Sequence, residues 1–156
     1  MAAMGEAEEA DVIVQAAADG TKLTDGGTLS AGSYYLEDDV KLTTDITIAS
    51  GTTVTIDLCG HTLTGTGSGS VITVNGTLTL TDSGTGGTVT GGSATNGGGV
   101  YVSSTGSFTM SGGTISGNDA NVGGGVYVAS GVSFRISSTA RTPPAAAAAG
   151  GGCYGR

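Results

Sequence analysis

The sequence predicts an all-β protein whose fold is a right-handed parallel β-helix, a solenoid of about four to five rungs. The first reason is a repeat: Gly97–Val102 returns as Gly123–Val128, displaced by 26 residues, and a fixed period of this size is typical of repeat architectures. The second is that short triplets alternating apolar and polar residues recur three to a repeat, which is typical of strands. The third is that glycine, at 31 of 156 residues, is concentrated between the triplets, where turns are expected.

The triplets also predict the core. Each repeat holds a first, a second and a third triplet, and no repeat has space for a helix. The apolar member of each triplet is expected to point inward and stack on its equivalent one rung away, ~4.8 Å along the axis. The predicted stacks are Ile46, Ile72, Val100 and Val126 from the first triplets; Ile56, Leu80, Met110 and Ile136 from the second; and Leu63, Val89 and Ile115 from the third.

The chain is expected to have three regions. Residues 1–26 are predicted to be an amino-terminal cap and lead-in, with a short helix over 6–18 that its Ala, Glu and Gln favour. Residues 27–137 are predicted to be the solenoid. It should begin with an irregular rung over 27–42 and continue with rungs over about 45–70, 71–98, 99–124 and 125–137.

The repeat pattern ends after Ser137. The segment 138–156 contains Pro143-Pro144, which cannot join a strand ladder, and a run of alanine. We expect this tail to be disordered or to result from a reading-frame change in a longer repeat gene, which would make the chain a fragment.

Composition narrows the functional classes. Thirteen acidic and five basic residues give a net charge of −8, which disfavours binding to nucleic-acid phosphates, since that needs clustered Lys and Arg. With no Trp and 4% aromatic residues there is no broad aromatic platform for stacking sugars or bases. Cys59 and Cys153 have neither metal nor redox spacing, so neither a disulfide nor a cofactor is predicted.

Targeting signals are not apparent in the sequence. Residues 1–19 have neither a basic segment nor a continuous apolar segment of the kind found in signal peptides. No run of 18 apolar residues exists, so membrane insertion is not expected. Either the chain is cytoplasmic or its export signal has been lost.

The stretch 97–120 resembles the repeats of bacterial cell-surface adhesin-like right-handed β-helix proteins. It is similar to the polymorphic outer-membrane protein repeats and to the wider pectate-lyase-like superfamily, and Thr53–Leu63 resembles an early rung of such proteins. The resemblance covers residues 28–137. It implies the solenoid fold and, for the adhesin type, an exported and surface-attached parent protein. The superfamily includes lyases, hydrolases, adhesins and passive stalks.

An enzymatic function is the first alternative. The pectinases of the superfamily use either calcium held by clustered Asp with a basic residue, or closely placed Asp as acid and base. The sequence favours instead turn carboxylates that bind nearby backbone N–H groups, as for Asp57 and Asp82, and a solvated loop at Glu37-Asp38-Asp39. We therefore predict no catalytic residue and no metal site. The candidates considered are Glu37, Asp38, Asp39, Lys41, Asp45, Asp57, His61, Asp82 and Arg135.

Two outward surfaces are candidate binding sites. The third triplets predict two rows, Thr62, Thr88 and Thr114 beside Thr64, Thr90 and Ser116. A Thr-X-Thr array of this kind resembles the ice-binding face of some solenoid antifreeze proteins, although Thr also suits outward strand positions without any ligand. A column of Thr47, Thr73, Tyr101 and Tyr127 is expected to present two stacked tyrosines, either to a glycan or partner surface or as a simple ladder.

The sequence therefore predicts a non-catalytic structural or adhesive repeat module, monomeric as a rod segment and extracellular or cell-surface in its full-length parent. Its expected partner is a host or environmental glycan or a surface protein. A truncated carbohydrate-active enzyme and an ice-binding solenoid are the alternatives.

Overall fold

The computed structural model describes residues 20–137, which form an all-β parallel solenoid of about four turns with no helix in that range. Equivalent strands of successive rungs pair in parallel, so the strands stack into sheets in chain order. The first sheet contains Gly27–Leu29, Ile46–Ile48, Ile72–Val74, Val100–Val102 and Val126–Val128; the second contains Thr21–Lys22, Gly32–Tyr35, Thr53–Asp57, Thr77–Thr81, Ser107–Met110 and Phe134–Ile136; the third contains Val40–Lys41, Thr62–Thr64, Thr88–Thr90 and Thr114–Ile115.

The predicted inward stacks are confirmed by the register. Ile72 pairs with Ile46 on one side and Val100 on the other, and Leu80 lies between Ile56 and Met110 in the same way. The interior members are fully buried, whereas Val126 is half-buried and Ile136 is 45% exposed. The last two belong to the final described rung, which has a described neighbour on one side only. The core is therefore a continuous aliphatic column. The right-handed coil remains a prediction.

The opening of the solenoid is more regular than the sequence predicted. Residues 27–42 form three strands, and each pairs with the corresponding strand of the next rung. Thr21–Lys22 adds a strand to the second sheet by pairing with Tyr34–Tyr35. The reason is that Leu29, Leu36 and Val40 fill the same inward positions as the apolar residues of later rungs. The helix predicted over 6–18 and the tail 138–156 lie outside the described residues.

Close approach of successive rungs explains some of the glycines. A Cβ at Gly99 would lie 2.6 Å from the carbonyl oxygen of Gly125, one rung on, and 2.6 Å from Cγ2 of Ile115. At Gly125, the repeat equivalent of Gly99, the nearest such atom of the described residues is Cγ2 of Ile115 at 3.8 Å. Glycine is thus required at position 99, because the backbone of the next rung leaves no space for a side chain there.

Cys59 occupies a turn between the second and third sheets with a φ of +51° and is nearly buried. It is disulfide-bonded, so the prediction that this chain forms no disulfide is wrong.

Candidate binding surfaces

The tyrosine column lies on the outer face of the first sheet. Tyr101 and Tyr127 are directly opposite each other in the register, and their ring centroids are 5.4 Å apart with the planes tilted by 30°. Thr73 pairs with Tyr101 and Thr47 with Thr73, so the column continues as threonine. The structure therefore brings the two predicted tyrosines into one half-buried pair.

A groove of about 560 Å³ runs beside Tyr101. Two of its lining residues, Gly69 and Ser93, form an antiparallel bridge in which they exchange two backbone hydrogen bonds of 2.6 and 3.0 Å. Among the residues that the structure describes, no charged side chain lines it. The lining residues are Ser68, Gly69, Ser70, Ser93, Ala94, Thr95, Asn96 and Tyr101.

Sequence reasoning missed this groove because it missed the strand that forms one wall. Ser93–Asn96 pairs in parallel with Asp119–Val122, making a fourth, two-stranded sheet between the third and first sheets. Neither segment alternates apolar and polar residues clearly, so periodicity carries no strand signal there. The only hint is their equal position in the 26-residue repeat.

The two threonine rows of the third sheet are in register but are not equivalent along their length. Thr88 pairs with Thr62 and Thr114, and Thr64 pairs with Thr90. Ser116 follows the strand Thr114–Ile115 of this sheet, and its backbone N–H donates to the carbonyl of Val89 at 3.1 Å. This bond keeps Ser116 next to Thr90, in line with the second row. Thr114, predicted to point outward, is only 7% exposed.

Hydroxyl groups in these rows are also used within the protein. Thr88 Oγ1 donates to the carbonyl of Gly86 at 3.0 Å, and Thr90 Oγ1 donates to the carbonyl of Gly117 at 3.3 Å. The predicted array therefore has fewer hydroxyl groups available to a ligand. Thr88 and Thr90 at its centre are bonded to backbone carbonyls, and Thr114 at one end is buried. This sheet is therefore a weaker candidate surface than its sequence suggests.

Asp57 and Asp82 bind the turns between rungs. Asp57 accepts hydrogen bonds from the backbone of Cys59 and Ser83, both at 2.9 Å, and from the Ser83 hydroxyl at 2.6 Å. Asp82 is completely buried. Its carboxylate accepts three backbone N–H bonds, from Gly60 at 2.6 Å, Gly87 at 2.7 Å and Gly84 at 3.2 Å.

The same arrangement recurs nearer the amino terminus. Asp45 accepts both the backbone N–H of Thr66 at 3.0 Å and its hydroxyl at 2.9 Å. Asp25 does the same for Thr43 and also accepts N–H groups of Gly26 and Thr44. The hydrogen bonds from Thr43, ahead of the one from Gly26, lower the pKa of Asp25 from 3.8 to about 2. Sequence reasoning did not single out Asp25, although it precedes a glycine in a turn.

The remaining charged candidates lie apart or in exposed pairs. His61 Nδ1 is 3.5 Å from Asp39 Oδ1, and Asp39 also accepts the backbone N–H of Thr62 at 2.9 Å. Lys22 Nζ is 3.1 Å from Glu37 Oε1, and this pairing raises the pKa of the Lys22 ammonium.

Across residues 20–137 no three His, Cys, Asp or Glu side chains converge as a metal site. In the same range, no helix has the length and apolar character to cross a membrane.

A second cavity, of about 390 Å³, lies at the last described rung. Ile115, Val126, Phe134 and Ile136 supply its apolar lining, and Ser116 and Asn118 its polar lining. The amide of Asn118 is already engaged, since it accepts from the backbone of Gly92 and donates to the carbonyls of Val89 and Ser116. It therefore acts as a connector between rungs.

Comparison with protein-family models, with curated proteins and with solved structures finds no match for this chain. The fold and these surfaces define the protein as a parallel β-solenoid.

Proposed function

We propose that this chain is a non-catalytic display module, a rigid solenoid that contacts a glycan or a surface protein through its tyrosine column and the adjoining groove. The observation that carries the proposal is the close, tilted ring pair of Tyr101 and Tyr127, with the groove opening beside Tyr101. An aromatic ring next to hydroxyl and amide groups offers an apolar surface together with hydrogen-bonding partners, the combination used by many ligand sites.

The described residues that line the groove carry no charge, which favours a neutral glycan over the uronate polysaccharides cleaved by pectinases. One such site is small, so each contact is expected to be weak. Many copies on one surface would raise the overall avidity by roughly 10²–10⁴ without new contacts. The resemblance of the repeats to adhesin-like β-helix proteins supports a place in an exported bacterial surface protein.

What supports a non-catalytic role is the way the carboxylates are engaged. Glycoside hydrolysis needs two carboxylates that face a bond in a cleft. The oxygens of Asp57 and Asp82 accept hydrogen bonds from the turns instead. A truncated carbohydrate-active enzyme is the competing hypothesis, and it predicts turnover of uronate polysaccharide that is lost in Asp57→Ala.

The test is binding of the full chain to a panel of immobilised neutral and acidic glycans, measured for the monomer and for the chain clustered on beads. We expect binding to neutral glycans that is strengthened by clustering and lost in a Tyr101→Ala/Tyr127→Ala double variant. Tyr35→Ala is the matched control, because Tyr35 is a half-buried tyrosine on the second sheet. Equal losses in both variants, or cleavage of an acidic polysaccharide by the wild type, would contradict the proposal.

A further inference from the structure

The outer face of the second sheet carries two rows of hydroxyl side chains, which we call the hydroxyl face. In one row Thr77 lies between Thr53 and Ser107, its partners in the register. In the other, Thr79 lies between Thr55 and Thr109, and Ser33 pairs with Thr55. The residues of the first row are exposed, and the threonines of the second are half-exposed, as expected within a ladder.

The positions of these groups are regular in two directions. Residues two apart on a strand are ~6.6 Å apart, and equivalent residues of neighbouring rungs are ~4.8 Å apart. Threonine is stiff at χ1 because it is branched at Cβ. A row of threonines in register therefore presents its hydroxyl and methyl groups at nearly fixed places before any ligand arrives.

The hydroxyl groups of this face are not used for hydrogen bonds within residues 20–137. Across the described part of the chain, none of the seven side chains takes part in a hydrogen bond. The third sheet differs, because Thr88 and Thr90 donate their hydroxyl hydrogens to backbone carbonyls. The hydrogen-bonding capacity of the hydroxyl face is thus directed entirely outward.

We propose that the hydroxyl face binds ice. A ligand matched to it must offer hydrogen-bond donors and acceptors at a short repeat in two dimensions, and it must tolerate methyl groups between them. Crystalline water has that chemistry and repeats on a similar scale. A crystalline polysaccharide fits less well, because neither row contains an aromatic side chain on which sugar rings could stack. Tyr35 lies on the same face beside Ser33, in the opening rung, where it pairs with Asp57 and not with either row. The charged Arg135, paired with Thr109, marks one end of the face.

This proposal is independent of the glycan proposal, since it uses a different sheet and none of the same residues. It also differs from the ice-binding alternative based on the sequence, which used the threonine rows of the third sheet. Replacing one residue near the centre of each sheet distinguishes the two locations. Thr79→Tyr places a bulky ring in the hydroxyl face, and Thr88→Tyr places the same ring in the rows of the third sheet.

The experiment measures thermal hysteresis and partition of the full chain into a slowly growing ice front. The wild type should adsorb to ice, Thr79→Tyr should lose that adsorption, and Thr88→Tyr should retain it. Thermal unfolding followed by circular dichroism verifies that each variant is folded. If Thr79→Tyr does not fold, Thr77→Lys at an exposed position of the same face replaces it.

Three results would overturn the proposal. The wild type would fail to enter the ice front, or it would bind crystalline cellulose while ignoring ice, or Thr88→Tyr would abolish adsorption while Thr79→Tyr left it intact.

Discussion

The carboxylate of Asp82 accepts a hydrogen bond of 2.6 Å from the backbone N–H of Gly60, a residue of the preceding rung. Asp82 is completely buried, and it also accepts N–H groups of its own turn from Gly84 and Gly87. One side chain therefore joins the turns of two rungs. Asp82 thus supplies the hydrogen-bond acceptor for three backbone N–H groups of these turns, which would otherwise need other partners.

Replacing Asp82 with alanine should deprive one buried and two part-buried backbone N–H groups of their acceptor. We expect Asp82→Ala to lower the free energy of unfolding by about 3 kcal/mol, measured by urea denaturation. The exposed Asp38 is the matched control, and Asp38→Ala should change stability by less than about 0.5 kcal/mol. Similar, small effects of both changes would show that the turn does not depend on the carboxylate.

The two repeat-equivalent glycines should respond differently to a methyl group. Gly99→Ala forces the new Cβ against the backbone of Gly125 and the side chain of Ile115, and we expect a loss of roughly 1–3 kcal/mol. Among the described residues, the Cβ of Gly125→Ala meets one ordinary contact at 3.8 Å, so the stability of this variant should stay close to that of the wild type. Urea denaturation of both variants tests this, and an equal loss would contradict the distinction between the two rungs.

Phe108 and Phe134 form an internal aromatic stack. Their centroids are 5.0 Å apart and their planes differ by 4°, but Phe108 is 1% exposed whereas Phe134 is half-buried. We expect Phe108→Ala to cost about 3–5 kcal/mol, because it opens a cavity in the centre of the core. Phe134→Ala should cost clearly less. Thermal unfolding of the two variants tests this. A larger loss for Phe134→Ala than for Phe108→Ala would contradict the expectation.

Asp25 should contribute to the acid dependence of stability. Its pKa is lowered on folding from 3.8 to about 2 by hydrogen bonds from Thr43 and Gly26. A group of this kind stabilises the fold fully above its unfolded pKa, and its contribution is lost as the pH falls through the folded pKa. Asp25→Asn should therefore lower the melting temperature near pH 6, with a difference from wild type that shrinks as the pH approaches about 2.

Melting temperatures recorded across that pH range test the expectation. Asp38→Asn is the control, because Asp38 is an exposed aspartate on a neighbouring turn. A difference between Asp25→Asn and wild type that did not vary with pH would exclude the ionised carboxylate as its cause.

Much of the fold is predictable from local pattern. Ile46, Ile72 and Val100 alternate with threonine or tyrosine and recur at the repeat spacing, which determines both that they point inward and which residue each meets in the next rung. Tyr101 and Tyr127 follow from the same rule on the opposite face. The strand Ser93–Asn96 does not, because its pairing with Asp119–Val122 depends on the neighbouring rung and not on its own sequence.

The sequence by itself determined which residues face the core, because alternation with a period of two is a property of each strand alone. Only the tertiary structure decided how the polar residues are used. Thr79 and Thr88 occupy the same kind of outward strand position, yet only the Thr88 hydroxyl is bonded to the backbone. Asp82 reaches Gly60 across 22 residues of sequence. Such contacts depend on how the turns bring successive rungs together. The local sequence pattern does not encode the spacing between a side chain of one rung and the backbone of another.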